Sequence, residues 1–240
     1  MSYVLETKGL VKDYGHGVGL LGVDIALEPG KIIGLLGTNG SGKTTLLKLT
    51  AGILTPTAGE VKVCGMPIGI ETKEIVSYLP ERTYLNDWMT VEEIIAFFAD
   101  FYADFSTEKA YAMLASLNVD PKRKLKTLSK GTKEKVQLVL VMSRNARLYL
   151  LDEPIAGVDP VAREFILDTI VSNYNKEATI LISTHLITDV EKVLDGFIFL
   201  RDGNVIMQSS VEEARAAYEG KTVDEIFREV YSNVQKKPEI

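Results

Sequence analysis

Residues Gly37–Thr44 read Gly-Thr-Asn-Gly-Ser-Gly-Lys-Thr and fill the template G-x-x-x-x-G-K-[ST] without a mismatch. An apolar run, Ile32–Leu36, leads into this stretch, and Thr44–Leu49 leads out of it with helical spacing. Strand, glycine-rich turn and helix is the setting in which such a loop cradles phosphates. Gly37, Gly40 and Gly42 let the backbone turn tightly and aim its N–H groups inward. The helix expected from about Lys43 adds the positive end of its dipole. Lys43 would then reach the β- and γ-phosphates, and the Thr44 hydroxyl would coordinate Mg²⁺. Thr38, Asn39, Ser41 and Thr45 complete the expected nucleotide-binding stretch. A chance glycine-rich turn is the competing reading, and the full template in this setting argues against it.

The 240 residues suit one α/β domain with a sub-domain, and 46% apolar residues are ample for a core. A net charge of −6 argues against a general nucleic-acid binder. The single cysteine, Cys64, excludes a disulfide framework, fits a reducing compartment and reads as a small buried hydrophobe. Met1–Lys8 has no basic segment followed by an apolar stretch, which argues against a signal peptide. Nowhere do eighteen apolar residues run together, so no membrane span is expected, and any work at a membrane would require a partner.

Short strands are expected at Tyr3–Glu6, Leu10–Tyr14 and Leu20–Leu27, then a helix at about 43–52 and a strand at Glu60–Cys64. A strand at Ile75–Leu79 precedes a change of pattern. From there to about residue 145 the chain reads as helices: one opened by the capping box Thr90-Val91-Glu92-Glu93, one over Thr107–Leu117, and one after Thr132. Leu148–Leu151 and Thr179–Ile182 read as buried parallel strands separated by a helix at about 160–174. A helix at about 186–194, a hairpin turning at Asp202-Gly203 and helical residues 211–233 complete the pattern. The expected fold is a phosphate-loop NTPase core: α/β with a mostly parallel sheet, an N-terminal antiparallel β subdomain and a helical subdomain at about 82–146, all in one domain over 1–240.

The second nucleotide element is Leu148–Leu151 followed by Asp152 and Glu153. A buried strand delivers Asp152 at its carboxyl end, where open α/β sheets place ligands. Asp152 would hold Mg²⁺ and Glu153 would polarise the attacking water.

With these two elements in place, the chain resembles the nucleotide-binding subunit of ABC (ATP-binding cassette) transporters over essentially its whole length. Gly37–Thr44 is similar to the family's Walker A motif, and Leu148–Asp152 with Glu153 to its Walker B motif and catalytic carboxylate. Leu128-Ser129-Lys130-Gly131-Thr132 matches the signature Leu-Ser-Gly-Gly-Gln at three of five positions; Gly157-Val158-Asp159 resembles the D-loop and His185 the switch histidine. The resemblance implies ATP and Mg²⁺ as cofactors and a second copy, or a homologous ATP-binding subunit, closing head to tail. Ser129 and Gly131 would face the γ-phosphate of the partner's ATP, Asp159 would cross the seam, and His185 would contact γ-phosphate and water. Tyr14, 29 residues before Lys43, stands where the family stacks an aromatic ring on adenine. The resemblance also implies separate integral membrane subunits, a place on the cytoplasmic face of the cell membrane, and no nucleic-acid partner.

Two departures stand out. Glu81, in Tyr78-Leu79-Pro80-Glu81, replaces the usual glutamine of the Q-loop; it keeps an oxygen for Mg²⁺ and adds charge near the γ-phosphate. Lys130 and Thr132 replace glycine and glutamine in the signature, with Lys130 expected to point to solvent. The Pro-Glu loop and Leu-Ser-Lys-Gly together resemble a bacterial exporter branch. Of Tyr84, Trp88, Phe97, Phe98, Phe101, Tyr102 and Phe105, most are expected in the core of the helical block, with a docking groove for a membrane-subunit helix drawn from Tyr84, Leu85, Trp88 and Met89. Pro121–Lys124 and Lys236-Lys237 read as solvated charge. The competing functions are a soluble ABC ATPase acting on a macromolecular complex and a phosphate-loop kinase or GTPase, the latter leaving Leu128–Thr132 and His185 unexplained.

Overall fold

The computed structural model describes residues 3–15 and 17–235, and the structural statements below concern those residues; Lys236-Lys237 lie outside them. In chain order the elements begin with β1 (Leu5–Asp13), β2 (Val18–Leu27), β3 (Ile32–Leu36), α1 (Lys43–Thr50), β4 (Ala58–Val63) and β5 (Met66–Pro67). There follow α2 (Ile70–Ile75), β6 (Val76–Leu79), α3 (Val91–Phe101), α4 (Thr107–Ser116), α5 (Lys130–Met142) and β7 (Leu148–Asp152). Then come α6 (Pro160–Asn173), β8 (Thr179–Thr184), α7 (Ile187–Val190), β9 (Gly196–Arg201), β10 (Asn204–Ser210), α8 (Val211–Ala217) and α9 (Val223–Gln235).

Among the described residues the strands form two sheets. The first, ordered β2-β1-β4-β5, is antiparallel throughout. Where the sequence suggests two short strands, β1 is continuous: it passes through Gly9 at φ 53° with a register shift between Thr7 and Leu10, so a bulge absorbs the glycine. The second sheet is ordered β10-β9-β3-β8-β7-β6, parallel except for the β9–β10 hairpin. Every residue of β7 and β8 is buried, as expected of parallel strands covered on both faces. Two apolar clusters cover those faces: one joins the sheet to the helical block and α9, the other joins it to α1 and the antiparallel sheet.

This strand order positions the chemistry. β3 lies beside β8, and β8 beside β7, in register Leu36↔Thr184 and Asp152↔Ser183. The carboxyl ends of three separate strands therefore deliver Gly37, Ser183–His185 and Asp152-Glu153 to one edge.

Helices α3–α5 lie between β6 and β7. The Thr90 hydroxyl accepts from the Glu93 N–H (3.2 Å) while the Glu93 carboxylate accepts from the Thr90 N–H (2.7 Å), the reciprocal cap read from the sequence, worth about 1 kcal/mol for its hydroxyl. The third helix starts earlier than expected, at Lys130 and not after Thr132, because the Ser129 side chain caps it through the Thr132 N–H. Arg144, 4% exposed, fastens the block: its guanidinium donates to Asp104 (2.9 Å) and to the Val76 (2.7 Å) and Glu74 carbonyls, and lies 3.9 Å from the Tyr102 ring centroid.

Two further elements differ from the sequence reading. Residues 70–75 form α2, whose entry is set by the Gly69 N–H donating to the Thr72 hydroxyl (3.0 Å). Residues 211–233 are not one helix, because Glu219 and Gly220 adopt left-handed backbone (φ 55° and 80°) and turn the chain between α8 and α9.

Candidate functional site

The phosphate loop leaves β3 and enters α1 through Gly42, whose φ of 107° suits glycine. A Cβ there would stand 2.3 Å from the Gly19 carbonyl oxygen, so the loop packs hard against β2. Helices α3, α4, α5, α6 and α8 each begin with a hydroxyl or carboxylate accepting a first-turn N–H. α1 has no side-chain cap. Its first N–H groups are left for an external acceptor, and an acceptor drawn to a helix start is an anion. The donor set therefore fits a polyphosphate. Lys43, almost fully buried, donates from Nζ to the Gly37 (2.9 Å) and Thr38 (3.2 Å) carbonyls and lies 3.5 Å from Glu153 Oε1.

Asp152 is the hub beneath the loop. Its Oδ1 accepts from the Thr44 hydroxyl (3.0 Å) and from the Ser183 hydroxyl (2.6 Å), and its Oδ2 from the Tyr78 hydroxyl (3.4 Å). Burial holds the Asp152 carboxyl above the usual carboxylate value; the Ser183 and Thr44 hydrogen bonds oppose this and the charges of Glu81 and Glu153 add to it. Uncompensated negative charge beside a hydroxyl suits a divalent cation. Among the described residues no trio of His, Cys, Asp and Glu could hold a metal by itself. One hydroxyl and one carboxylate, with phosphate oxygens and water for the rest, is the donor set Mg²⁺ accepts.

Glu153 occupies left-handed backbone at φ 49°, a conformation that costs about 1–3 kcal/mol and gathers at functional sites. Its N–H is held by the Ser183 carbonyl (3.0 Å) and hydroxyl (3.1 Å), which over-determines the turn. The carboxylate so aimed lies 3.1 Å, through each oxygen, from His185 Nδ1. Lys43, Glu153 and His185 thus form one chain of contacts. The open cavity of ≈ 550 Å³ above the loop is lined by them, by Asn39, Gly40, Gly42, Thr44 and Thr45, and by Tyr14 and Glu81. Tyr14 stands at its rim, its hydroxyl 3.2 Å from the Thr45 hydroxyl. Gly37 and Ser41 are buried under the loop, and Thr38 is exposed beside it.

Ser129, Gly131 and Asp159 are not in this cavity. All three are exposed, and within the chain Ser129 and Asp159 only cap α5 and α6. Lys130 reaches solvent and approaches Glu134 at 3.8 Å. Sequence reasoning missed Ser183, Tyr78 and Gln137. The Gln137 amide on α5 donates to the Pro80 carbonyl (3.0 Å), tying the helix that starts at the signature to the loop that carries Glu81. Ser183 was legible in principle, two residues before His185 on a buried strand; the other two depend on packing.

The aromatic cluster divides. Phe98 is buried, with Tyr102 and Phe105 packed against the core, whereas Tyr84, Trp88, Phe97 and Phe101 are exposed. Leu85 and Met89 belong to the core, which corrects the expected groove. An apolar groove is formed instead by Tyr84, Phe97 and Phe101 with Ile53 from the core side. Cys64 is half-buried and follows β4 in left-handed backbone (φ 50°), with burial raising its thiol pKa.

Residues 20–156 match the ABC transporter family. The chain belongs to that family. It is 31% identical over 235 residues to an uncharacterised ABC transporter ATP-binding protein of Synechocystis sp., covering 92% of this chain and 66% of that protein. It is 29% identical to the SkfA peptide export ATP-binding protein SkfE of Bacillus subtilis, covering 88% of this chain and 90% of the relative. A solved ATP-binding subunit of an ABC transporter superposes with a TM-score of 0.85 at 29% identity, over 95% of this chain and 99% of that one. This ABC protein is accordingly the ATP-binding, ATP-hydrolysing subunit of a transporter, built on the α/β fold described above. Among the described residues no helix is long and apolar enough to cross a membrane.

Proposed function

We propose that this subunit hydrolyses Mg²⁺-bound ATP at the Gly37–Thr45 loop, and that a second copy completes the site. The observation that carries this reading is the single chain of contacts Thr44–Asp152–Ser183 and Lys43–Glu153–His185 beside an uncapped helix start. Thr44 and Asp152, with Glu81, would hold Mg²⁺, which supplies charge neutralisation on the β- and γ-oxygens. Tyr14 stacks on the adenine, a contact worth about 1–3 kcal/mol and tolerant of base identity. The loop N–H groups and Lys43 hold the phosphates. Glu153 orients the attacking water and accepts its proton, while His185 fixes the Glu153 carboxylate and meets the γ-phosphate.

Ser129 and Gly131, at a helix start, face the γ-phosphate bound by the partner copy, and Asp159 crosses the seam. Their exposure and their lack of any role in this chain's own cavity support that assignment. The helical subdomain at 82–146 carries the signature and the groove of Tyr84, Phe97 and Phe101, which receives a helix from a separate membrane subunit. The chain then works at the cytoplasmic face of the cell membrane. Export is the favoured direction, supported by the likeness to SkfE.

Glu153→Gln is the test. Turnover falls at least ~100-fold, and an ATP-dependent dimer appears on gel filtration. Unchanged turnover would remove Glu153 from the chemistry.

A further inference from the structure

The first residues of the phosphate loop are held from a distance of nearly two hundred residues in sequence. Tyr231, on α9, donates its hydroxyl to the Leu200 carbonyl at the end of β9. A Cβ placed on Gly37 would stand 2.3 Å from that same carbonyl oxygen and 3.2 Å from the Tyr231 hydroxyl, so loop, β9 and α9 meet at one point. Burial raises the hydroxyl's pKa, opposed by hydrogen bonding from the Thr38 backbone and side chain. The phenol hydroxyl thus donates to β9 and lies against the start of the loop at Gly37.

Its position is fixed on the other side. The Tyr231 ring lies 4.0 Å from that of Phe227, which meets buried Phe199 edge-on at 5.1 Å. The Arg201 guanidinium donates to the Tyr231 carbonyl (2.9 Å) and sits 5.4 Å from its ring centroid. A hydroxyl held this firmly transmits its position to whatever it binds.

What it packs against matters, because the Gly37 and Thr38 carbonyls are the two that hold the Lys43 ammonium. We infer that Tyr231 is a positioning residue for nucleotide binding: α9 braces the Gly37–Thr38 segment through the Tyr231 hydroxyl and thereby sets the loop and Lys43 for the phosphates. The inference rests on the loop being the ATP site. Of the groups placed in the chemical step only Glu153 meets the braced set, through Lys43 at 3.5 Å, while Asp152 and Ser183 hold each other, so the brace acts mainly on binding.

Tyr231→Phe keeps the ring and removes the hydroxyl; Phe227→Leu loosens α9 and keeps the hydroxyl. Each variant and the unaltered full chain are titrated with a fluorescent ATP analogue and with ADP, melted, and assayed for ATP hydrolysis. Tyr231→Phe should raise the Kd for both nucleotides and the KM for ATP about three- to tenfold, the effect of one lost hydrogen bond. Its kcat should stay within about twofold and its melting temperature within about 2 °C, whereas Phe227→Leu should lower the melting temperature more and raise Kd less. Wild-type affinity in Tyr231→Phe would overturn the brace. So would a Kd that tracks melting temperature equally in both variants, or a loss confined to kcat. Failure of the unaltered chain to bind nucleotide would overturn the ATP reading itself, and the brace with it.

Discussion

Lys43, Thr44, Asp152 and Glu153 hold one another, whereas Ser129 and Asp159 hold only the helices they begin. In the first group Lys43 and Asp152 are buried and Thr44 and Glu153 partly so, and each charged member has a partner within this chain. Breaking the Lys43–Glu153 pair by removing one member costs about 3–5 kcal/mol, so these two residues are fixed by the fold as much as by the chemistry. Ser129 and Gly131 of the signature are exposed, as is Asp159, and among the described residues Ser129 and Asp159 are fixed by ordinary capping. On the proposed reading, one half of the ATP site is finished on folding, while the other half has no task until a second molecule arrives.

The sharpest way to break that comparison is Gly131→Asp. No heavy atom lies within 4 Å of a Cβ at Gly131, and an acidic residue in the first turn of α5 favours the helix. The isolated chain should keep its melting temperature within about 2 °C and its affinity for ATP, while the ATP-dependent dimer and most turnover are lost. An unchanged dimer on gel filtration would place the signature outside the interface. A smaller effect is expected for Tyr84→Ala combined with Phe101→Ala. Both side chains are exposed, so co-purification with the membrane partner should fall about tenfold while ATP binding persists; unfolding instead would return them to the core.

Glu81→Gln should change ATPase activity less than about tenfold, since the amide keeps the oxygen available to Mg²⁺. A larger fall would give the carboxylate a role of its own. The smallest effect concerns the finished half. The Asp152 carboxyl is raised mainly by burial, so the fold favours its protonated form. That contribution to stability is present below the unfolded carboxyl value and lost as pH rises through the folded one. Asp152→Asn should therefore raise the melting temperature of the nucleotide-free protein at pH 7 by about 2–4 °C and flatten its fall with pH.

Much of the fold was legible because its strands are read by continuity and its helices by their caps. β7 and β8 are unbroken apolar runs ending in the residues that matter, and Thr90-Val91-Glu92-Glu93 carries its own cap. α2 was not legible: six residues, Ile70–Ile75, show no periodicity long enough to count, and a glycine backbone starts the helix. The break between α8 and α9 was marked in the sequence only by Gly220; Glu219, which is also left-handed, carries no such signal in its residue type. Leu85 and Met89 could not be separated from Tyr84 and Trp88 by residue type, since apolar spacing says that a face is buried and not which neighbour covers it.

The sequence alone determined the nucleotide chemistry, because a phosphate loop, a strand ending in Asp152-Glu153 and Ser129–Gly131 at a helix start are local patterns whose spacing encodes backbone geometry. Only the tertiary structure decided how those patterns meet. The parallel register Asp152↔Ser183 puts a β8 serine against the Asp152 carboxylate and the Glu153 N–H, and the return of α9 puts Tyr231 against Gly37. Both are contacts between segments far apart in the chain, and sequence separation carries no information about distance until the sheet order is known.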